Sequence, residues 1–194
     1  MLSKFSQFIQ RISKGWVVIL LLLLFILTVS VIFPFFARLL NVPEDVASID
    51  TMLYYTPAEL YQILEAYGQQ GRPGYAISHI TADLIYPIVY SFFFATAISF
   101  TFVRVFPRKS KLQMLNLVPF GLAGIDLLEN IALIILLLAF PNPLTPLAFA
   151  AGVITFVKWA AVAITVAIPL VGLILWLVRL TRKGLNASDL SDGE

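Results

Sequence analysis

Four stretches of mainly apolar residues, each long enough to cross a lipid bilayer, make up most of this chain of 194 residues. A helix needs about 20 such residues to cross ~30 Å of hydrocarbon, and it bonds its own backbone polar groups internally. The stretches cover approximately residues 16–40, 80–103, 115–140 and 147–178. Because 60% of the residues are hydrophobic and only 12% are charged, the composition is typical of an integral membrane protein. The sequence therefore predicts an all-α fold, a four-helix transmembrane bundle.

The lysines and arginines are unevenly distributed between the loops of this predicted bundle. Ten of the 13 precede the first stretch, join the second to the third, or follow the fourth. Basic residues collect on the cytoplasmic side of a membrane protein, so both termini are predicted to be cytoplasmic. We expect an integral protein of a bacterial inner membrane, with a membrane domain at 16–178 between a cytoplasmic segment at 1–15 and a cytoplasmic tail at 179–194.

Two segments outside the apolar stretches carry helix signals. Thr56 and Glu59 are spaced as a capping box around a proline, and Gly68 is a typical stop, which predicts an outer amphipathic helix at about 57–67. In residues 1–15, apolar side chains recur at helical spacing beside basic ones, which predicts an N-terminal helix lying in the membrane interface.

Four ionisable side chains lie inside the apolar stretches. Each is unfavourable by about 2.5–3.5 kcal/mol at the centre of an inserting helix, so such residues are usually paired or mark a ligand or ion site. We therefore take them as the candidate catalytic residues. They are Asp83, Asp126, Glu129 and Lys158.

Further polar and aromatic side chains share helical faces with these four. Spacings of i, i+3, i+4, i+7 and i+11 on the second, third and fourth stretches place each set on one face, in the outer half of the bilayer. We interpret them as candidate ligand-binding residues. They are His79, Tyr86, Tyr90, Asn130, Thr155 and Trp159, of which Trp159 lies beside the polar face of the fourth stretch.

Structural explanations stay open for the same residues. Glu129 and Lys158 are also what a buried ion pair that fixes helix register requires. Asp126 and Asn130 are suited to hydrogen bonds between membrane helices, and His79 is placed to cap a helix end.

Several classes of protein are excluded by what the chain lacks. It contains no cysteine and one histidine, which removes disulfides, thiolate nucleophiles and Cys- or His-rich metal sites. It has no phosphate-binding loop, nucleophile elbow, zinc-binding His-Glu pattern or nucleic-acid module. No metal, cofactor or nucleic-acid partner is predicted.

The second stretch resembles the emopamil-binding/sterol-isomerase (EXPERA) family. His79 and Asp83 are similar to that family's His and carboxylate four residues apart on a membrane helix, and Glu129 or Asp126 is similar to its second acid on another helix. The resemblance implies a lipid-open cavity in which a proton is added to, and removed from, a sterol double bond.

Three further segments resemble bacterial four-span membrane proteins to which no activity is assigned. They are Tyr-Tyr-Thr-Pro-Ala-Glu at 54–59, Asp-Leu-Ile-Tyr-Pro at 83–87 and Asp-Leu-Leu-Glu-Asn at 126–130.

Three functions are compatible with these patterns, and whether the protein is an enzyme stays open. The first is an intramembrane polar pocket that binds a membrane lipid or an apolar small molecule, with isomerase-like acid–base chemistry as an extension. The second is proton or ion movement along a relay of the intramembrane acids. The third is a structural subunit whose polar groups bind other helices, and self-association is left open.

Overall fold

The computed structural model describes residues 2–40 and 46–191, with side chains up to residue 182. Within these ranges all regular secondary structure is helical, which confirms the all-α fold. The helices are α1 (Leu2–Ile12), α2 (Gly15–Leu39), α3 (Pro57–Ala66), α4 (Gly68–Ile80), α5 (Ala82–Val105), α6 (Val118–Ala139) and α7 (Thr145–Ser191). Helix α2 contains a π-helical turn at Thr28–Ile32, and two 3₁₀ turns lie at Ile49–Thr51 and Lys111–Leu117.

Four helical segments are long and apolar enough to cross a membrane, by length and composition. They are Gly15–Leu39, Gly68–Val105, Lys111–Ala139 and Thr145–Arg182. Each contains nearly all of one of the four predicted stretches. The fold is therefore compatible with a membrane protein, whereas the side on which each terminus lies stays a prediction.

The second of these segments begins at Gly68 rather than near residue 80. Gly68 has a φ of 67°, a left-handed conformation that favours glycine, and it separates α3 from α4. Gly74 lies so close to the end of α2 that a Cβ there would be 1.9 Å from the carbonyl oxygen of Leu40. The glycine-rich start of α4, which in the sequence is typical of a loop, is thus a helix that packs closely on its neighbour.

Helix α3 begins as the sequence predicts. The Thr56 hydroxyl accepts from the backbone N–H of Glu59, and the Glu59 carboxylate accepts from the backbone N–H of Thr56 at 2.7 Å. One apolar face of α3 buries Leu60 and Leu64 completely. The helix is therefore part of the protein core at this end of the bundle, which we call the loop end.

The core of the loop end joins residues from the 49–67 segment to α4, α6 and α7. Tyr55 is fully buried in it, and its carbonyl oxygen approaches α7 at Gly152, where a Cβ would lie 2.3 Å away. This close contact holds the loop directly above the ends of α6 and α7.

The long helices pack in a defined order. Helix α5 contacts α2, α6 and α7, and α6 also contacts α7 and α4. Helices α2 and α7 scarcely touch each other. At the opposite end, α1 is bonded to the 3₁₀ turn through Asn116, whose amide donates to the Ser6 carbonyl at 3.1 Å.

Candidate functional site

Glu129 on α6 and Lys158 on α7 form an ion pair at the centre of the loop end. The Lys158 ammonium donates to one carboxylate oxygen of Glu129, and the Thr155 hydroxyl donates to the other. The Glu129 side chain is fully buried and that of Lys158 is 8% exposed. Three residues predicted separately therefore meet in one buried group.

Lys158 also connects this pair to the loop and to a second acid. Its ammonium donates to the backbone carbonyl of Asp50 at 2.8 Å and lies 3.8 Å from the carboxylate of Asp126. The Asp126 carboxylate accepts from the Tyr90 hydroxyl at 3.2 Å. One ammonium is thus shared between two carboxylates, of which only that of Glu129 is in direct contact.

A second group lies at the junction of α4 and α5. His79 Nδ1 is 2.8 Å from the Asp83 carboxylate and 3.1 Å from the Asn130 side-chain oxygen. Both neighbours accept, so Nδ1 carries the proton. The Asn130 amide in turn donates to the backbone carbonyl of Asp83 at 3.3 Å. This carbonyl is the one freed by Pro87, which has no N–H to donate four residues later.

A cavity of about 530 Å³ lies between these groups and α2, and it is partly open to the surface. Its polar side chains come from the loop, α4, α5, α6 and α7. They are Asp50, Asp83, Asp126, Asn130, Lys158 and Thr165, with Ser48, Thr51 and Ser78 at the loop end. Its aromatic side chains include Phe25, Phe33, Tyr75, Tyr86, Tyr90, Phe94 and Trp159.

All ten predicted site residues lie in or directly beside this region. Seven of them line the cavity, whereas His79, Glu129 and Thr155 lie behind its wall. His79 and Glu129 bond to residues that line it, and Thr155 bonds to Glu129. Tyr86 packs edge-on against Tyr90 at 5.0 Å between ring centres. Within the described part of the chain, the hydroxyl of Tyr86 makes no hydrogen bond.

Four residues that sequence reasoning did not assign to the site belong to it. Asp50 accepts from the hydroxyls of Ser48 and Tyr75, each at 2.6 Å, and the Tyr55 hydroxyl lies 3.3 Å from that of Thr155. Tyr75 carried a signal, because it precedes His79 by four residues and extends the same helical stripe. Ser48, Asp50 and Tyr55 lie in an irregular segment and carried none.

The loop position of Asp50 affects its ionisation. Burial alone would raise the pKa of Asp50, but the charges of His79 and Lys158 and the hydrogen bonds from Ser48 and Tyr75 outweigh it. The net effect is a pKa below the ordinary value, so Asp50 is a carboxylate at neutral pH.

The described residues contain no group of three or more His, Asp or Glu side chains arranged to hold a metal ion. Comparison with protein-family models, curated proteins and solved structures finds no match to this chain.

Proposed function

We propose that the cavity binds an amphiphilic organic molecule with a cationic head group, whose carbon chain lies against α2. The observation that carries this proposal is the balance of charge on the cavity wall. Among the described side chains that line it, three are carboxylates, of Asp50, Asp83 and Asp126, and one is an ammonium, of Lys158.

Pairing inside the wall leaves a surplus of negative charge. Lys158 is already paired by direct contact with Glu129, which lies behind the wall, and Asp83 is paired with His79. Among the described residues, Asp126 then has as partners a shared ammonium at 3.8 Å and one hydroxyl donor. An uncompensated carboxylate in a medium of low dielectric is strongly unfavourable, so the site favours either a proton or a bound cation.

The aromatic walls favour an organic cation over an inorganic one. An ammonium is attracted to the faces of Trp and Tyr rings within about 6 Å, most strongly where water is excluded. Tyr86, Tyr90 and Trp159 line the cavity beside Asp126 and Lys158. The free hydroxyl of Tyr86 supplies a further polar contact for a head group.

The position of α2 supports entry of the ligand into the cavity from the side of the bundle, between α2 and α7. Helices α2 and α7 both line the cavity yet scarcely touch each other. Val29 on α2 is 43% exposed and Val166 on α7 is 38% exposed, and both also line the cavity. An apolar molecule in the surrounding bilayer would reach the cavity between them.

Acid–base chemistry is a narrower form of the same proposal. The Tyr90 hydroxyl and the Asp126 carboxylate form a 3.2 Å hydrogen bond at the cavity surface, where a proton can be exchanged with a bound molecule. Isomerase-like activity would therefore depend on proton exchange by Asp126. Binding of an ammonium would depend only on the negative charge of the Asp126 carboxylate.

The proton-relay and assembly-subunit hypotheses stay predictions with less support. No ionisable residue lies at positions 91–103 on α5 or 159–178 on α7, so a relay from Asp126 would lack its second half. An assembly subunit would need its polar groups on an outer face, whereas Glu129 and Thr155 are fully buried.

The test uses Trp159 as a reporter inside the cavity wall. The chain has three tryptophans, so Trp16→Phe with Trp176→Phe leaves Trp159 alone. This variant, in phosphatidylcholine nanodiscs at neutral pH, is titrated with decylamine, decanol and decanoate, which have equal chain lengths and different charges. We expect a saturable change in Trp159 fluorescence with decylamine only.

Asp126→Asn in the same background tests the site itself. Asparagine still accepts from Tyr90, but without the charge the affinity for decylamine should fall about tenfold or more, as for loss of a hydrogen bond to a charged group. The matched control is Glu65→Gln, an exposed acid on α3, which should leave affinity unchanged. Equal saturation by decanol, or an Asp126→Asn variant that binds decylamine normally, would refute the proposal.

A further inference from the structure

Thr165 on α7 is a buried hydroxyl that departs from a rule followed by the other buried threonines. A threonine in a helix normally donates to the carbonyl of the residue four positions earlier, which satisfies its hydroxyl without any other partner. Thr28, Thr96, Thr101 and Thr155 all make this bond, at 2.8 to 3.2 Å. Thr165 is fully buried, and its hydroxyl has no hydrogen-bond partner in the part of the chain that the structure describes.

Trp159 shows the same departure. Its indole N–H is buried and has no hydrogen-bond partner. An indole N–H can only donate, so the missing partner is an acceptor. A buried donor left unbonded is unfavourable by about 1–3 kcal/mol, and two on one helix call for an explanation.

Both residues line the cavity, but Thr165 lies away from the charged groups. It follows Lys158 by seven residues, which places it on the same face of α7 and about 10 Å further along the helix axis. Val162 lies between them on the cavity wall. The cavity thus has a charged part at the loop end, where Trp159 lies beside Lys158, and, separated by an apolar interval, a part in which Thr165 offers a hydrogen-bond donor.

We propose that Thr165 forms a second polar subsite, which donates a hydrogen bond to an uncharged acceptor oxygen on the carbon chain of the ligand. This inference rests on the proposed function and narrows the ligand class. The ligand carries an ammonium at one end and a carbonyl, ester or ether oxygen about 10 Å away. The unliganded protein then keeps the Thr165 hydroxyl unbonded, at some expense in stability.

The binding test compares two primary amines that differ in one oxygen. Decylamine is set against 10-aminodecan-3-one, whose ketone lies eight carbons from the nitrogen, and both are titrated calorimetrically in phosphatidylcholine nanodiscs. We expect the ketone to improve affinity about tenfold in the wild-type protein, the effect of roughly one additional hydrogen bond made in a dry site.

Variants show whether the gain comes from this subsite. Thr165→Val should reduce the advantage of the ketone to about threefold or less, with little change in the affinity for decylamine, whereas Trp159→Phe, beside Lys158, should weaken the binding of both amines alike. The matched controls are Thr96→Val, on a buried threonine that makes the usual helix bond, and Trp176→Phe. Both controls should keep the tenfold ratio.

Stability provides a readout that does not depend on a ligand. Removing an unbonded hydroxyl by an isosteric change should raise the melting temperature, so Thr165→Val is expected to be more stable than wild type and Thr96→Val less stable. A melting temperature that falls equally in both variants would show that the Thr165 hydroxyl is already bonded, and would overturn the inference.

The two proposals fail in different ways. If decylamine binds but the ketone adds nothing, the second subsite is refuted while the cationic site stands. If neither amine binds saturably, both proposals are refuted.

Discussion

The buried pair of Glu129 and Lys158 allows a quantitative test of how the loop end is held together. Neither side chain is more than 8% exposed, so solvent screening does little to weaken the interaction. Removing one partner of a buried ion pair typically destabilises a protein by about 3–5 kcal/mol, because the other charge stays buried. We expect Lys158→Met to lie in this range, since Glu129 would keep only the bond from Thr155.

Glu129→Gln should be milder than Lys158→Met. The ammonium would keep the Asp50 carbonyl at 2.8 Å and the Asp126 carboxylate at 3.8 Å, so we expect a loss of about 1–3 kcal/mol. The double variant removes both charges of the pair and should be less destabilised than the sum of the singles by about 2 kcal/mol or more.

The measurement is reversible unfolding in mixed micelles of the four proteins of this double-mutant cycle. As a control, Lys158→Met is combined with Thr96→Val, a buried residue that contacts neither partner, and these two effects should add within about 0.5 kcal/mol. If the effects of Lys158→Met and Glu129→Gln also add within that margin, the two groups are not coupled and the reasoning is refuted.

Three further predictions concern the loop that closes this end of the bundle. Gly152→Ala places a Cβ 2.3 Å from the Tyr55 carbonyl oxygen and should lower stability by about 1–3 kcal/mol, whereas Gly121→Ala, with no atom within 4 Å, should be neutral or stabilising in thermal unfolding. The pKa of Asp50 is lower in the folded protein than in the unfolded chain. The stability that ionised Asp50 contributes is therefore present above about pH 4 and is lost as the pH falls through the pKa of the folded protein. The melting temperature should therefore fall between about pH 5 and 3, and it should fall less steeply in Asp50→Asn. Parallel curves of melting temperature against pH for the two proteins would contradict this. Thr56→Ala removes the capping box and should lower stability by about 1 kcal/mol in denaturant titration, while an unchanged midpoint would show that the cap contributes nothing.

The elements that sequence analysis predicted well are those governed by short-range rules. The Thr56–Glu59 box and the stop at Gly68 depend on a few neighbouring residues, and both occur as expected. The meeting of Glu129 with Lys158 follows from equal depth on neighbouring helices together with the high energy of an unpaired buried charge. Such constraints are visible in one sequence because they do not depend on the path of a loop.

The parts that escaped prediction depend on long-range packing. Asp50 reaches the site because the 46–56 segment folds down onto α7 at Gly152, and its irregular conformation has no period to detect. Helix α2 lines the cavity with aromatic side chains, but its residues are apolar all round, so the sequence marks no cavity-facing side. The spacing from Lys158 predicts that Thr165 lies on the polar face of α7, but only the coordinates reveal that its hydroxyl lacks the usual bond.

The polar and apolar side chains are unevenly distributed around the cavity. This distribution explains why the loop and α2, which sequence analysis did not assign to the site, matter most for the proposed function. The loop, α5, α6 and α7 supply every charged group of the described wall, while α2 supplies only apolar and aromatic side chains. A bound molecule would therefore be oriented, with its head group toward Asp126 and Lys158 and its chain toward α2 and the gap beside α7. Because Asp50 binds Lys158 through its backbone, any movement of the loop would change the surroundings of the same ammonium that balances Asp126. The position of the loop and the affinity for the head group therefore both depend on the surroundings of Lys158. A substitution in the loop that weakens the contact with Gly152 should alter the affinity for decylamine, even where the substituted residue does not line the cavity.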